Sequence, residues 1–414
     1  MVKLKILINA YACSPRMGSE PGMAWNWVSN LAKFCELYII TEGEFRERIE
    51  TVVSTLEHGS NMHFYYNPVS DEIRRMCWNQ GDWRFYKYYR EWQQKTYLIA
   101  KDICSEVKID VLHQLNMIGF REPGYLWKLS KENGVPFVWG PIGGLKQFPT
   151  AYLKGANLKM KMFNRLKNFL NIWQLKHDKR VDEALKTAKL LVSSIPDSYN
   201  AIKKYKDLES VVIPETGCFL SEDISTDRFD EKDFHVMWVG KFDFRKQLPI
   251  ALSAIAAVAN PHIMLDVFGT GSQRQVDEAK SFAGKLGIGN KVAWHGSQAN
   301  EVVMEAMKKA QLFLFTSISE DTSTVVLEAI SNRLPVVCFD ACGMAAVIDD
   351  NVGRKIHLSN PTQSVQDFAR VLNDLEKNRN VLKQMSENCR QRQMELSWEE
   401  KAKTMVEWYG KILR

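Results

Sequence analysis

Short apolar runs alternate with helical segments along this chain, and that alternation leaves few architectures open. The first unit is a strand over residues 3–10, a loop punctuated by Gly18 and Pro21, a helix over 22–34 and a strand over 37–41. Strands joined through helices lie parallel, with helices covering both sheet faces. The pattern therefore predicts doubly wound α/β domains. Further strands are predicted at 62–66, 110–114, 135–139, 190–194, 211–214, 235–239, 264–269, 291–295, 312–315 and 336–339.

Chain length indicates two such domains. A single core rarely grows beyond about 250–300 residues, and this chain has 414. The stretch 221–233 is acidic and contains only two large apolar side chains, Ile224 and Phe229, so we predict a linker there. The expected domains are therefore 1–220 and 234–395, followed by a terminal helix over 396–414.

Composition excludes several classes of protein. A net charge of +6 is too small to indicate nucleic acid as a partner. The eight cysteines show no framework of close pairs, and Cys338 and Cys342 have no nearby cysteine or histidine, so we expect no metal site and a reducing cytoplasm. No run of 18 apolar residues occurs, so we expect no membrane span.

The stretch 311–343 carries the clearest chemical signal. It reads as a buried strand, a polar turn, a short helix and a second strand, and the hydroxyl of Thr322 or Ser323 is expected to cap the helix. The backbone N–H groups of the first helical turn favour an anion. Glu320 and Glu328 flank this turn, and carboxylates accept hydrogen bonds from sugar hydroxyls. A nucleotide sugar satisfies these features, although capped helices with an internal glutamate also occur where no ligand binds.

Cations follow the predicted strand 235–239 directly. Lys241, Arg245 and Lys246 lie at the expected mouth of a parallel sheet, where charge-assisted hydrogen bonds to a diphosphate are strong. Solvated surface charge is the alternative interpretation. The sequence therefore predicts a phosphate clamp beside the anion site.

These motifs resemble those of retaining glycosyltransferases of family four. Glu320, Glu328, Ala329 and Pro335 match the Glu-x7-Glu signature, while residues 321–324 depart from the small, glycine-containing turns of the family. The resemblance implies the GT-B fold, in which two Rossmann-like domains face each other across a cleft. It also implies that the first glutamate contacts the donor sugar and the second the nucleotide ribose.

The same resemblance suggests roles for further residues. Lys246 matches the lysine of the diphosphate-binding motif, and Lys241 stands where arginine is commoner. The remaining expected donor-site residues are Gly18, Arg245, His295, Ser297, Thr322, Ser323 and Thr324. Gly18 could instead serve only a tight turn.

On the acceptor side, the resemblance points to Gly143 and Gly144, which could alternatively form only a tight connection. His113 ends a predicted strand and matches the histidine that approaches the donor sugar, although a lone histidine is more often structural. With Glu320 and Lys246 it completes the expected catalytic set. The last helix is expected to return to the first domain.

The segment 151–180 is strongly basic, with eight Lys or Arg against Asp178 alone. Its apolar residues Met162, Phe163, Leu166, Phe169, Leu170 and Trp173 fall on one helical stripe. Two readings remain open. The helix could lie on an anionic bilayer, or it could pack its apolar side on its own domain and leave the lysines in solvent.

Together with the resemblance, these features predict a cytoplasmic, retaining glycosyltransferase (hexosyltransferase-like, EC 2.4), which would be peripheral at the inner face of the membrane if the helix in 151–180 lies on the bilayer. It would move a sugar from a UDP- or GDP-sugar to a saccharide or lipid-linked saccharide in surface polysaccharide biosynthesis. No Asp-x-Asp occurs, so cations are expected to replace a metal, and no cofactor is expected. The alternatives are a GT-B sugar-nucleotide epimerase, a glucan phosphorylase or synthase-like enzyme, and a non-catalytic binding protein.

Overall fold

The computed structural model describes residues 3–79, 82–221 and 224–414. Its strands are β1 Lys5–Ala10, β2 Glu36–Thr41, β3 Met62–Tyr66, β4 Val111–Asn116, β5 Phe137–Ile142, β6 Leu190–Ser193, β7 Val211–Val212, β8 Phe234–Val239, β9 Ile263–Phe268, β10 Val292–Gly296, β11 Leu312–Phe315, β12 Val336–Phe339 and β13 Gly353–Ile356. All strand pairs are parallel and form two sheets, which confirms the predicted α/β class.

Helices connect these strands throughout. They are α1 Ser19–Leu31, α2 Arg46–Val53, α3 Asp71–Trp78, α4 Phe85–Glu106, α5 Leu126–Asn133, α6 Leu158–His177, α7 Lys179–Thr187, α8 Pro196–Lys206, α9 Leu248–Ala257, α10 Gln273–Lys285, α11 Asn300–Lys309, α12 Thr324–Ser331, α13 Met344–Val347, α14 Pro361–Lys377, α15 Arg379–Glu395 and α16 Trp398–Ile412. In the part of the chain that the structure describes, thirteen strands alternate with these helices and account for the repeated apolar runs of the sequence.

Unit 1 comprises Met1–Leu145, Leu170–Glu215 and Trp398–Arg414. Its seven-stranded sheet has the order β3-β2-β1-β4-β5-β6-β7. Alternate residues of β1 enter different cores, with Leu7 on one face and Ile6 and Ile8 on the other. Both faces are therefore covered, which explains why the strands read as continuous apolar runs.

The terminal helix α16 groups with unit 1. Trp398 at its start packs edge-to-face against Trp27 of α1, with ring centroids 6.1 Å apart. The Lys401 ammonium is buried and donates to the Pro214 carbonyl at 2.7 Å. The terminal helix thus packs on parts of unit 1 that lie almost 200 residues or more earlier in the chain.

Unit 2 comprises Lys146–Phe169 and Thr216–Ser397, with a six-stranded sheet in the order β10-β9-β8-β11-β12-β13. The sequence placed 146–169 in the first domain, whereas the structure groups it with the second. Phe148 and Tyr152 explain the difference, because both lie in the core of unit 2 and Tyr152 bonds the Ser364 hydroxyl at 2.6 Å.

The stretch expected to be a linker is packed onto unit 2 where it is described. Phe229 is buried, and the Arg228 guanidinium donates to the carbonyls of Lys308 at 2.8 Å and Arg333 at 2.6 Å. Residues 222–223 of the expected linker lie outside the described residues. One aromatic ring and one arginine anchor a segment whose composition otherwise resembles a loop.

Among the described residues no helix is both long enough and apolar enough to cross a bilayer.

Candidate functional site

The sheet order of unit 2 defines where a ligand site is expected. β8 lies between β9 and β11, so the chain turns in opposite directions from the middle of the sheet. In open parallel sheets the crevice at the carboxyl ends of the strands at such a switch point binds ligands. Here the crevice is bordered by the loops that follow β8 and β11, and both contain predicted site residues.

The loop after β8 has a rigid local structure. Residues Phe244–Lys246 form a short 3-10 turn, and the Asp243 carboxylate accepts from the backbone N–H groups of Arg245 at 2.9 Å and Lys246 at 3.2 Å. Gln247 then adopts a left-handed conformation with φ of 51° and begins α9. The Asp243 carboxylate and this turn therefore fix the backbone that carries the two cations.

Hydrogen bonds join this loop to the one after β11. The Ile318 N–H donates to the Arg245 carbonyl at 2.9 Å, and the Thr316 hydroxyl donates to the Lys246 carbonyl at 2.8 Å. The Ser317 hydroxyl also lies 3.2 Å from the Arg245 carbonyl. These hydrogen bonds fix the loop that carries Arg245 and Lys246 beside the loop that carries Glu320.

An ion pair forms the centre of the crevice. The Lys246 Nζ lies 2.8 Å from the Glu320 Oε1, and the two side chains are only 14% and 15% exposed. The same oxygen accepts from the Ser317 hydroxyl at 2.9 Å, while the Arg245 Nη1 lies 3.7 Å from Oε2. The structure therefore brings together three of the predicted residues, Glu320, Lys246 and Arg245, with the last one half exposed.

A second ion pair supports the turn that carries Glu320. The Lys146 ammonium lies 2.8 Å from Asp321 Oδ2, and the Gly343 N–H donates to the Asp321 carbonyl at 3.2 Å. A Cβ on Gly343 would come within 2.5 Å of the Thr322 Cα. Sequence analysis missed both Lys146 and Gly343. The glycine after β12 could have indicated a close backbone approach. Lys146 lies far from Asp321 in sequence, and no local pattern indicates their pairing.

The start of α12 corrects one expectation. Ser323 is the N-cap residue, but among the described residues its side chain makes no capping hydrogen bond with the helix. Its extended backbone, with ψ of 120°, instead offers the carbonyl to the Val326 N–H at 3.1 Å. Thr322 and Ser323 are nearly buried and Thr324 is exposed, so the three hydroxyls face different surroundings.

Glu328 lies one turn further along α12. Burial raises the pKa of its carboxyl, and the Asn300 amide, 3.4 Å from Oε1, offsets this only in part. A carboxylate that is partly removed from water and weakly hydrogen-bonded is costly to keep ionised. Such a group is suited to accept hydroxyl donors from a ligand.

The other predicted residues of unit 2 lie further from the ion pair. Lys241 is exposed at the start of the loop after β8. His295 is the penultimate residue of β10, which β9 separates from β8. Its ring stacks on Phe268 with centroids 4.2 Å apart, and its Nε2 lies 2.8 Å from Asp266. Ser297 follows in an exposed turn. Their role in binding a base stays a prediction.

Asp266 bonds two histidines at once, His295 and His235, the latter at 2.7 Å. Burial by itself raises the pKa of Asp266, but the two hydrogen bonds outweigh it and hold the pKa below its usual value. Among the described residues no cluster of three or more such groups has the arrangement to hold a metal ion.

Unit 1 has its own switch point, between β1 and β4. The loop after β1 lines a cavity of about 150 Å³ together with residues that follow β2. The Asn116 amide donates to the Ala12 carbonyl at 2.7 Å and fixes that loop. Gly18 precedes α1 with an ordinary φ of −89°, and a Cβ there would meet nothing within 4 Å. Close approach of a phosphate to Gly18 stays a prediction.

His113 does not have the catalytic position that was expected. It is fully buried in β4, and its Nε2 lies 2.7 Å from the Gly140 carbonyl while its Nδ1 lies 2.6 Å from the Tyr409 hydroxyl. The carbonyl can only accept, so Nε2 carries the proton and Nδ1 accepts from the tyrosine. Burial lowers the pKa of His113 to about 4. Both nitrogens are used, and the residue joins α16 to the sheet.

Gly143 and Gly144 follow β5 at the same edge of the sheet. The Gly143 N–H donates to the Ile118 carbonyl at 2.7 Å, and the Gly144 carbonyl accepts from the Asn171 amide at 3.2 Å. Gly144 has a φ of 80°, a conformation that favours glycine. These contacts account for the glycines structurally, and an acceptor role stays a prediction.

Comparison with known proteins finds a family model that matches most of unit 2. The family model described as glycosyl transferases group 1 matches residues 221–392, which include the ion pair. An uncharacterised glycosyltransferase of Methanocaldococcus jannaschii is 26% identical over 147 residues, covering 35% of this chain and 37% of that protein. The match thus spans little more than a third of the relative's length.

Solved structures match almost the whole chain. Sucrose-phosphate synthase from Thermosynechococcus elongatus has a TM-score of 0.65 and 15% identity, covering 99% of both chains. The lipopolysaccharide outer core galactosyltransferase WaaB has a TM-score of 0.63 and 15% identity, covering 98% of this chain and 99% of its own. Anabaena HepE in complex with UDP has a TM-score of 0.62 and 14% identity, covering 99% and 100%. The chain therefore has the GT-B fold of glycosyltransferases, with one Rossmann-like domain in each unit.

Proposed function

We propose that this protein is a retaining glycosyltransferase that moves a hexose from a UDP- or GDP-sugar to a saccharide or lipid-linked saccharide. The observation that carries the proposal is the Lys246–Glu320 pair at the switch point of unit 2, with Arg245 beside it. Cations and a carboxylate within one crevice match the two halves of such a donor, the diphosphate and the sugar hydroxyls.

The proposed chemistry follows from where charge develops. Breaking the bond between the sugar C1 and the diphosphate oxygen places negative charge on the leaving group and positive charge on the sugar ring. Lys246 and Arg245 would stabilise the diphosphate as preorganised cations. The first backbone N–H groups of α12 would add partial positive charge beside them. The sequence lacks Asp-x-Asp, so we assign this role to the side chains and the helix.

Glu320 has a defined part in this account. Its carboxylate pairs with Lys246 at 2.8 Å, so a diphosphate that binds Lys246 competes with it. Displaced from the lysine, the carboxylate would accept hydrogen bonds from hydroxyls of the donor sugar. One exchange of partners would thereby couple diphosphate binding to sugar positioning. Glu328, partly buried on α12, would accept from the ribose hydroxyls.

Retention is proposed with attack by the acceptor on the face from which the diphosphate leaves. A double displacement would need a carboxylate nucleophile close to C1, and Glu320 is assigned here to hydroxyl binding. The acceptor is assigned to the carboxyl edge of unit 1, where Gly143, Gly144 and the cavity beside Ser19 lie. A lipopolysaccharide galactosyltransferase among the structural matches supports a role in surface polysaccharide assembly.

Nucleotide release from a panel of UDP-, GDP- and ADP-sugars tests the proposal. We expect one donor to release its nucleotide, faster when a lipid-linked saccharide extract is added. The Lys246→Ala variant should release it roughly 100-fold more slowly, since a single stabilising donor at a developing anion is worth about that much.

Other outcomes would contradict the proposal in distinct ways. Tight nucleotide binding with no release in the presence of acceptor would indicate a binding protein. An isomerised sugar in place of a transferred one would indicate an epimerase. Analysis of the anomeric configuration of the product by NMR would test retention separately.

A further inference from the structure

Helix α6 exposes an unusual amount of apolar surface. Of the 19 large apolar side chains that the described chain exposes most, seven lie on this one helix, with exposures between 39% and 72%. We call them the outward stripe: Leu158, Met162, Phe163, Leu166, Phe169, Leu170 and Trp173. At about 100° per residue they occupy one arc of roughly 140°. Isolated exposed apolar residues are ordinary, but a continuous stripe marks an interaction surface.

The helix is held to the protein by its polar side instead. The Asn168 side chain accepts from the Phe148 N–H at 2.8 Å and donates to the Phe148 carbonyl at 2.9 Å. The Asn171 amide donates to the Gly144 carbonyl at 3.2 Å, and its oxygen accepts from Arg121. The asparagines face inward together with Met160 and Leu175, while the outward stripe faces outward, so most of the apolar side chains lie on the exposed side.

This orientation decides between the two readings of the basic segment. If the helix packed its apolar side on its own domain, Phe163 and Phe169 would be buried, yet they are 63% and 62% exposed. The buried positions are Asn171 and Leu175. The stripe therefore needs a cover that the described chain does not supply.

Charge indicates what that cover is. The helix LKMKMFNRLKNFLNIWQLKH contains five Lys or Arg and no acidic residue. On the helical wheel Lys161, Arg165 and Lys176 lie along one border of the stripe and Lys167 along the other, while Lys159, in the first turn, falls within the arc. Cations that flank an apolar arc are the arrangement of interfacial helices, whose apolar side enters the acyl boundary while basic residues contact anionic headgroups. A protein partner with an apolar groove would not require positive charge on both borders.

We propose that α6 docks the protein on an anionic lipid bilayer, with the outward stripe buried among the acyl chains and the lysines and arginine at the headgroups. This surface is distinct from the proposed donor site and does not depend on it. It would hold the protein at the layer in which a lipid-linked acceptor is dissolved.

Sedimentation with vesicles of phosphatidylcholine, with and without phosphatidylglycerol, tests the proposal. We expect binding to the anionic vesicles that weakens as salt is added. The apolar variant Phe163→Ser/Leu166→Ser/Phe169→Ser should bind roughly 100-fold less tightly. The charge variant Lys159→Glu/Lys161→Glu/Arg165→Glu should lose a similar factor at low salt.

Matched controls separate docking from folding. Leu98 and Val302 are exposed apolar residues on other helices, and the variant Leu98→Ser/Val302→Ser should bind vesicles as wild type does. Both α6 variants change side chains that are exposed or, for Lys161, half-buried, so their thermal unfolding should match wild type. Nucleotide release from a water-soluble donor, without lipid acceptor, should also be unchanged.

Three results would overturn the proposal. Wild-type protein could fail to sediment with anionic vesicles, or the apolar variant could bind as tightly as wild type. Alternatively, wild-type protein could elute as a dimer that the apolar variant converts to a monomer, with no vesicle binding by either. In that case the outward stripe would be a contact between copies of this chain.

Discussion

The variant Lys246→Met removes the cation at the centre of the proposed donor site while keeping the length of the side chain. In the folded protein this leaves the Glu320 carboxylate, 15% exposed, without its partner at 2.8 Å. Breaking a fully buried pair costs roughly 3–5 kcal/mol. The Ser317 hydroxyl at 2.9 Å and Arg245 at 3.7 Å remain, so we expect a smaller loss of about 2 kcal/mol.

The activity of Lys246→Met should fall by more than its loss of folded protein can explain. If Lys246 stabilises the leaving diphosphate, its removal should lower kcat by roughly 100- to 1,000-fold, which corresponds to about 2.7–4 kcal/mol in the transition state. Nucleotide release at saturating donor measures kcat, and chemical denaturation of the same preparation measures stability. Lys280→Met removes an exposed lysine on α10 and serves as the control with unchanged activity.

A double-mutant cycle with Glu320→Gln isolates the pair. The stability coupling should be about 1–3 kcal/mol, because each side chain contacts the other directly. Glu320→Gln alone should bind free UDP or GDP more tightly, since the competing carboxylate charge is gone, yet turn over the sugar donor more slowly. If Lys246→Met kept kcat within about threefold of wild type, the diphosphate would not bind at this lysine.

Three further variants test separate parts of the account. Burial raises the pKa of Glu328, so its ionised form costs stability above the usual carboxyl pKa; Glu328→Gln should raise Tm at neutral pH and weaken nucleotide binding in calorimetry. Burial lowers the pKa of His113 to about 4, so as pH falls the histidine takes up its proton in the unfolded chain before it does so in the folded protein. The free energy of unfolding should therefore drop by about 3 kcal/mol between pH 6.5 and 4. In denaturation experiments at a series of pH values, His113→Gln should flatten this loss of stability. If the variant lost stability with pH as steeply as wild type, another residue would be responsible. Gly343→Ala would crowd Thr322, so donor KM should rise while the helical content measured by circular dichroism stays constant.

The strands could be predicted because burial on both sheet faces imposes continuous apolar runs. The predictions 62–66, 312–315 and 336–339 coincide with β3, β11 and β12. The last strand, β13, was missed because Gly353–Ile356 includes two cations, Arg354 and Lys355, at a sheet edge. The ion pair at Lys246 and Glu320 was accessible from sequence only as two separate motifs. Strand order, which joins them, depends on contacts between distant residues.

Residues whose role depends on distant partners were not predictable. The sequence placed His113 at the end of a strand, as expected of a substrate ligand, but it lies inside β4, and Tyr409, almost 300 positions later, occupies its Nδ1. The periodicity of α6 identified one apolar stripe without indicating which side faces inward. Asn168 and Asn171 decide that orientation through hydrogen bonds to the backbone of Phe148 and Gly144, and nothing local in the sequence signals those bonds.

A crystal structure with bound UDP or GDP, whichever nucleotide the donor panel selects, would test the central claim most directly. The account predicts the diphosphate within hydrogen-bonding distance of Lys246 and Arg245, the Glu320 carboxylate separated from the lysine, and a ribose hydroxyl on Glu328. A nucleotide bound instead in the cavity of unit 1, with the Lys246–Glu320 pair unchanged, would contradict it.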